Sequence, residues 1–144
     1  MKHVFLGRFA PFHLGHKMVV DYIISRFGIE NCLLLIGSSN KIDSRTPYSF
    51  TKRRNIIKRF YPLLEILALP DVENDKKWLA SLKNLERKTH DKFIFYGGSK
   101  KDLSVLSTTF ETHIAINRNT KGLGISATKI RAGLMPFAVL TDSK

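Results

Sequence analysis

The run Cys32-Leu33-Leu34-Leu35-Ile36 has no polar side chain and stops at Gly37-Ser38-Ser39-Asn40. A strand with one wetted face would alternate, so five apolar residues in succession call for cover on both faces, as in a buried parallel strand. The flanking sequence repeats the logic. His3 to Leu6 reads as a strand; Leu14 to Phe27 reads as a helix, with Met18, Val19, Tyr22, Ile23 and Phe27 at helical spacing and Gly28 as its stop. A polar loop to Ser49 leads into a helix over Phe50 to Phe60, closed before Pro62, and then a strand over Leu64 to Leu69. Asp75 to Lys88 sets Trp78, Leu82 and Leu85 on one helical face, and Phe93 to Tyr96 is a strand ended by Gly97-Gly98. A short helix and a strand through His113 to Ile116 follow, and Ser126 opens a last helix that Gly133 and Pro136 end. The alternation predicts an α/β fold: a doubly wound parallel sheet with helices on both faces, right-handed crossovers and ligands beyond the carboxyl ends of the strands.

The 144 residues suit one domain, 1–144, able to bury an ordinary core without disulfides or a structural metal. Cys32, the single cysteine, sits inside the apolar run and reads as an inert buried thiol. The N-terminus enters a strand directly, without the pattern of a signal peptide, and no apolar stretch reaches the length of a membrane span, which makes the cytoplasm the expected compartment. A formal charge of +12 invites a nucleic-acid reading. The cations are dispersed, however, as Lys52-Arg53-Arg54, Lys58-Arg59, Lys76-Lys77 and Lys100-Lys101, so a solvated basic surface that steers anionic nucleotides is the simpler account.

Two segments carry chemistry, and the alternation places both on one rim. Gly7-Arg8-Phe9-Ala10-Pro11-Phe12-His13-Leu14-Gly15-His16 joins the first strand to the first helix. It sets main-chain N–H groups, two imidazoles and an arginine at the positive end of a helix, a place suited to phosphate. Gly15 lets the backbone approach a ligand closely, and imidazole N–H groups donate to oxyanions. Packing or helix-capping histidines are the plainer alternative, while the lack of a third ligand at local spacing argues against zinc. Far downstream, Ile125-Ser126-Ala127-Thr128-Lys129-Ile130-Arg131 offers a second helix start. Ser126 is an N-cap whose hydroxyl, with the free N–H groups around Thr128, could hold the β- and γ-phosphates, and Arg131 can lean back over them. Together the two ends suit a nucleoside triphosphate.

These segments resemble the HxGH and ISxTxxR signatures of the nucleotidylyltransferase superfamily, and GRFxPFHxGH is similar to nicotinamide mononucleotide adenylyltransferases of the archaeal type. Thr46-Pro47-Tyr48-Ser49 with Arg53 is similar to that family's NPFTxxER segment, and Pro70-Asp71-Val72 with Trp78 to its PDxxxxxKW segment. The resemblance implies a Rossmann-like fold. It gives His16 the α-phosphate in the transition state, His13 the triphosphate, and Arg131 a place beside them. Gly7, Arg8, Phe9, Gly15, Ser126 and Thr128 would surround ATP, with Pro47, Arg53, Asp71 and Trp78 on the acceptor side. Spacing alone leaves Trp78 equally suited to a core, Asp71 to a turn and Arg53 to the surface; the family instead stacks its tryptophan on the nicotinamide ring, a flat cation. Gly97-Gly98-Ser99 departs from the family's Gly-Asn-Pro, and Ala10 and Ala127 replace its glutamine and glycine. The tail after Arg131 is shorter than the family's.

The resemblance implies transfer of AMP from ATP to nicotinamide mononucleotide, with Mg2+ carried on the nucleotide. The partners are then small molecules, with no membrane, no nucleic acid, and homo-oligomerisation left open. One rival keeps the superfamily but changes the phosphorylated acceptor or replaces ATP with CTP. A second is a basic nucleic-acid-binding domain without turnover, marked by steep salt dependence.

Overall fold

The computed structural model describes residues 1–40 and 48–115. Pro47, Ser126, Thr128, Arg131 and the last predicted helix lie outside them. Five strands, β1 (Lys2–Gly7), β2 (Cys32–Gly37), β3 (Glu65–Leu69), β4 (Phe93–Gly97) and β5 (Glu111–Ile114), form one sheet in the order β3-β2-β1-β4-β5. Each neighbouring pair is parallel. Between them run α1 (Leu14–Phe27), α2 (Phe50–Phe60) and α3 (Asp75–Thr89), with 310 turns at Ile29–Asn31 and Leu106–Thr108. This is a Rossmann-like α/β sheet.

The apolar run becomes β2, and its side chains divide by period two. Cys32, Leu34 and Ile36 join the cluster containing Val19, Val20 and Ile23 of α1 and Ile56 and Ile57 of α2; Leu33 and Leu35 join Leu82 of α3 with Leu103, Leu106 and Phe110. Phe5, Ile94 and Tyr96 follow the first set, and Val4, Phe93 and Phe95 the second. Both faces of the sheet are therefore covered. Burial pushes the Cys32 thiol up to about 12, so it stays protonated in the fold.

Helix ends follow side-chain chemistry. Ser49 Oγ accepts from Lys52 N at 3.1 Å to start α2, and Asn74 Oδ1 accepts from Lys77 N at 2.9 Å to start α3. Gly28, at φ +87°, closes α1 in a conformation that L side chains rarely adopt. The last described strand departs from its sequence reading: it runs Glu111–Ile114, two residues earlier than His113. Its pairing with β4, Ile94 to Glu111 and Gly97 to Ile114, sets that register, and a strand rich in polar residues carries little apolar pattern to mark its start.

His3, 7% exposed, holds its ring 3.5 Å from that of Phe27 and its Nδ1 2.7 Å from Tyr96 Oη. Burial first, then the N-terminal ammonium, lowers its pKa from the ordinary 6.5, against the opposing pull of Glu111. As pH falls below 6.5 the unfolded chain binds this proton first, so the stability His3 contributes is present above 6.5 and lost below it. Tm should decline as pH is lowered from 7 to about 5.5, and less steeply in His3→Gln. Equal slopes in differential scanning fluorimetry would remove His3 as the source.

Candidate active site

The chain runs outward from β1 to β3 and then crosses to β4 on the other side of β1, so the strand order reverses between β1 and β4. Connections leave in opposite directions at such a point, opening a crevice beyond the carboxyl ends. The turn after Gly7 forms one wall. Phe9 takes a left-handed φ of +52° and is 2% exposed, which folds its ring back over β1. A Cβ on Gly7 would stand 3.0 Å from two atoms of that ring, so the close approach requires glycine. The Phe9 ring meets the His16 imidazole edge-on at 4.8 Å, and the Phe12 ring lies near-parallel to it at 5.8 Å.

The two histidines start α1 together. His13 is the N-cap, its Nδ1 accepting from His16 N at 3.4 Å, while His16 Nδ1 accepts from His13 N at 3.2 Å. This is a capping box built from two imidazoles, whose rings stack at 3.6 Å. A nitrogen that accepts from a main-chain N–H cannot carry a proton there, so the bonds select the neutral tautomer with its hydrogen on Nε2 for both rings. Both imidazoles are oriented by the bonds that begin the helix.

Two adjoining cavities open on the rim. The first, about 360 Å³, lies between β1 and β4, where Gly7, Gly15, His16, Tyr96, Gly97 and Gly98 line it. Here imidazole and glycine backbone meet the positive end of α1, a surface chemically suited to phosphate and an adjoining flat ring. The second, about 440 Å³, lies beyond β1 and β2 and is lined by Arg8, Ser38, Asp71, Glu73 and Asp75 among others. Trp78, on the first turn of α3, lines both.

Of the residues singled out in the sequence, Gly7, Arg8, Gly15, His16, Asp71 and Trp78 line these cavities, with His13 buried behind His16 and Phe9 packed against its edge. Arg53 is elsewhere. It is 0% exposed and donates only into the protein: Nε to Ser49 O at 3.3 Å, Nη1 to Arg8 O at 3.0 Å and Gly37 O at 2.8 Å, and Nη2 to Ser38 O at 2.9 Å. Burial and the Arg8 charge lower its pKa from the ordinary 12.5 while Asp71 opposes them. Sequence reading missed Ser38, which has φ +52° and donates from Oγ to Asp71 Oδ1 at 2.9 Å. It also missed Tyr96 as a cavity wall. Ser38 had shown only as part of a strand stop, and Tyr96 only as the end of an apolar run.

Among the described residues no group of three His, Cys, Asp or Glu side chains is gathered to hold a metal ion, and no helix is long and apolar enough to cross a membrane. An ion carried on triphosphate oxygens requires no protein cage of its own.

A crevice at the strand reversal, with a helix start aimed at it, is where open α/β sheets of this class bind their ligands. Residues 4–133 match the Cytidylyltransferase-like family, and the chain belongs to that family within the nucleotidyltransferase superfamily. It is similar to the nicotinamide-nucleotide adenylyltransferase of Methanocorpusculum labreanum, with 32% identity over 87 residues that cover 57% of this chain and 51% of that protein. With nicotinamide-nucleotide adenylyltransferase 1 of Sulfolobus acidocaldarius it shares 40% identity over 58 residues, 40% of this chain and 31% of that one. The chain thus spans about half, or less, of the length of these relatives. Among solved structures, a bifunctional NMN adenylyltransferase/ADP ribose pyrophosphatase from Francisella tularensis superposes with a TM-score of 0.72 at 23% identity, over 95% of this chain and 42% of that one. That likeness is one of fold.

Proposed function

We propose that this protein transfers an adenylyl group from ATP to nicotinamide mononucleotide, giving NAD and pyrophosphate. The observation that carries the reading is the reciprocal His13–His16 cap, which fixes the His16 imidazole at the wall of the first cavity. In the reaction a phosphate oxygen of the acceptor attacks the α-phosphorus, the bond from that phosphorus to the oxygen bridging to the β-phosphate breaks, and pyrophosphate leaves. No covalent nucleophile from the protein is needed. The protein holds the two phosphates in line and offsets charge as it develops.

His16 Nε2–H would donate to a non-bridging α-phosphate oxygen. His13, 0% exposed, holds that ring in place from behind rather than reaching the triphosphate itself, and Gly7 and Gly15 leave room for phosphate to approach the main chain. Arg8 adds a fixed positive charge. Ser126, Thr128 and Arg131 complete the triphosphate grip in this reading, on the strength of the motif resemblance. Mg2+ carried on the triphosphate would neutralise its oxygens and favour departure of pyrophosphate. On the acceptor side, Trp78 offers an aromatic face and Asp71 a carboxylate to a cationic pyridinium and its ribose.

The test is a turnover assay with ATP or CTP, each against a panel of phosphorylated acceptors, reading pyrophosphate and the joined product. ATP with nicotinamide mononucleotide is expected to give the highest kcat/KM. A higher value for CTP or for an acceptor without a pyridine ring would move the assignment elsewhere in the superfamily.

A further inference from the structure

The last register pair between β1 and β2 is Gly7 with Ile36, and the next step of that ladder would join Arg8 to Gly37. There the strands part. Arg53 Nη1 donates to the carbonyl oxygens of those two residues, at 3.0 and 2.8 Å, so a side-chain cation sits where the ladder splits. Its other bonds extend the hold to Ser38 O and to Ser49 O at the start of α2. Converging carbonyl dipoles repel one another, and a planar guanidinium with five fixed donors can satisfy several at once, whereas an ammonium cannot match the geometry. The reach does not end there. Ser38 is held in the left-handed region, and its Oγ donates to Asp71 on the wall of the second cavity.

We propose that Arg53 is a positioning residue that fixes the fork between β1 and β2, and through Ser38 aims Asp71 into the second cavity. Resting on the adenylyl-transfer reading, this assigns Arg53 to acceptor binding from behind the wall, without contact to substrate. It accounts for a buried cation whose donors all point to main-chain oxygens, and for the strained backbone of a serine between it and Asp71.

The experiment compares Arg53→Lys, Ser38→Ala and the double variant, assayed well below Tm. Each single change should raise the acceptor KM by about tenfold with kcat and the ATP KM within about threefold, and the double variant should be no worse than the poorer single, because both act along one route. If kcat falls and both KM values rise together in proportion to lost Tm, or the two effects multiply, Arg53 is merely structural and the proposal is overturned. Amide hydrogen exchange on the same proteins is the readout that needs no substrate. Arg53→Lys should speed exchange in residues 8–10 and 38–40 by about tenfold while Phe95 and Tyr96 in β4 stay protected. Unchanged exchange at 8–10 and 38–40 would also overturn it. A parent protein that turns over no acceptor sinks the adenylyl-transfer reading, and the exchange comparison then decides the fork by itself.

Discussion

Replacing His16 with alanine is expected to slow turnover by at least about a hundredfold while nucleotide binding falls much less. The expectation follows from the imidazole's confinement. Its Nδ1 is bonded to His13 N, and its faces and edges meet His13, Phe12 and Phe9, which fixes the ring at the wall of the first cavity. A donor fixed before reaction costs no reorganisation when charge develops, so its removal weighs on the transition state more than on the bound substrate. The substitution also removes one half of a capping box, worth about 0.5–2 kcal/mol, so Tm must be recorded beside the rate. His16→Asn provides the control. Its amide oxygen can accept from His13 N and recover part of that stability, yet its shorter side chain leaves the donor out of place, so turnover should stay low. Near-normal rates in folded His16→Ala would end the catalytic assignment.

Trp78→Ala should raise the KM for nicotinamide mononucleotide by one to two orders of magnitude, roughly 1–2 kcal/mol or more for a desolvated cation over indole. The tryptophan lines both cavities and is half-buried against the α3 side of the core, so a packing role and a ligand role compete in the geometry. Kinetics separate them. A stacking residue affects the acceptor and leaves ATP nearly unchanged, and Trp78→Phe recovers part of the loss. A packing residue would cost about 3–5 kcal/mol of stability and degrade both substrates' kinetics together. Trp78 is also the chain's one tryptophan, so its fluorescence reports on the site directly. Saturable quenching by nicotinamide mononucleotide is expected; an unchanged spectrum at saturating acceptor would rule out stacking.

Local pattern was enough for most of the scaffold. The bounds of α1 and α2 agree with their sequence reading because each carries its own signals: an apolar face at helical spacing, with Gly28 after one and Ser49 before the other. β2 was legible because burial on both faces leaves an unmistakable apolar run. The start of β5 was not, since a largely exposed strand has little apolar content and its register comes from β4. At the site, glycine and histidine spacing pointed to the turn after β1, but not to the mutual capping that selects a tautomer. Arg53 shows the limit most clearly. Its acceptors at Arg8 and Gly37 lie 45 and 16 residues away, and no periodicity in the chain encodes a bond from a side chain to a distant carbonyl. Buried within a run of surface cations, it looks in sequence like its neighbours Lys52 and Arg54.

The central place of β1 bears on how the chain comes to exist. Synthesis delivers β1 first and β2 soon after, but β4, its other partner, only once Phe93–Gly97 has been made. At elongation rates of roughly 5–20 residues per second, one side of β1 waits for several seconds with its main-chain donors and acceptors unpaired. An apolar strand in that condition is a template for any similar strand nearby, including the same segment on a neighbouring ribosome. The nascent chain is therefore most prone to association before the finished sheet exists, and slower initiation or a lower growth temperature should raise the yield of recombinant protein more than any gain in the stability of the final fold.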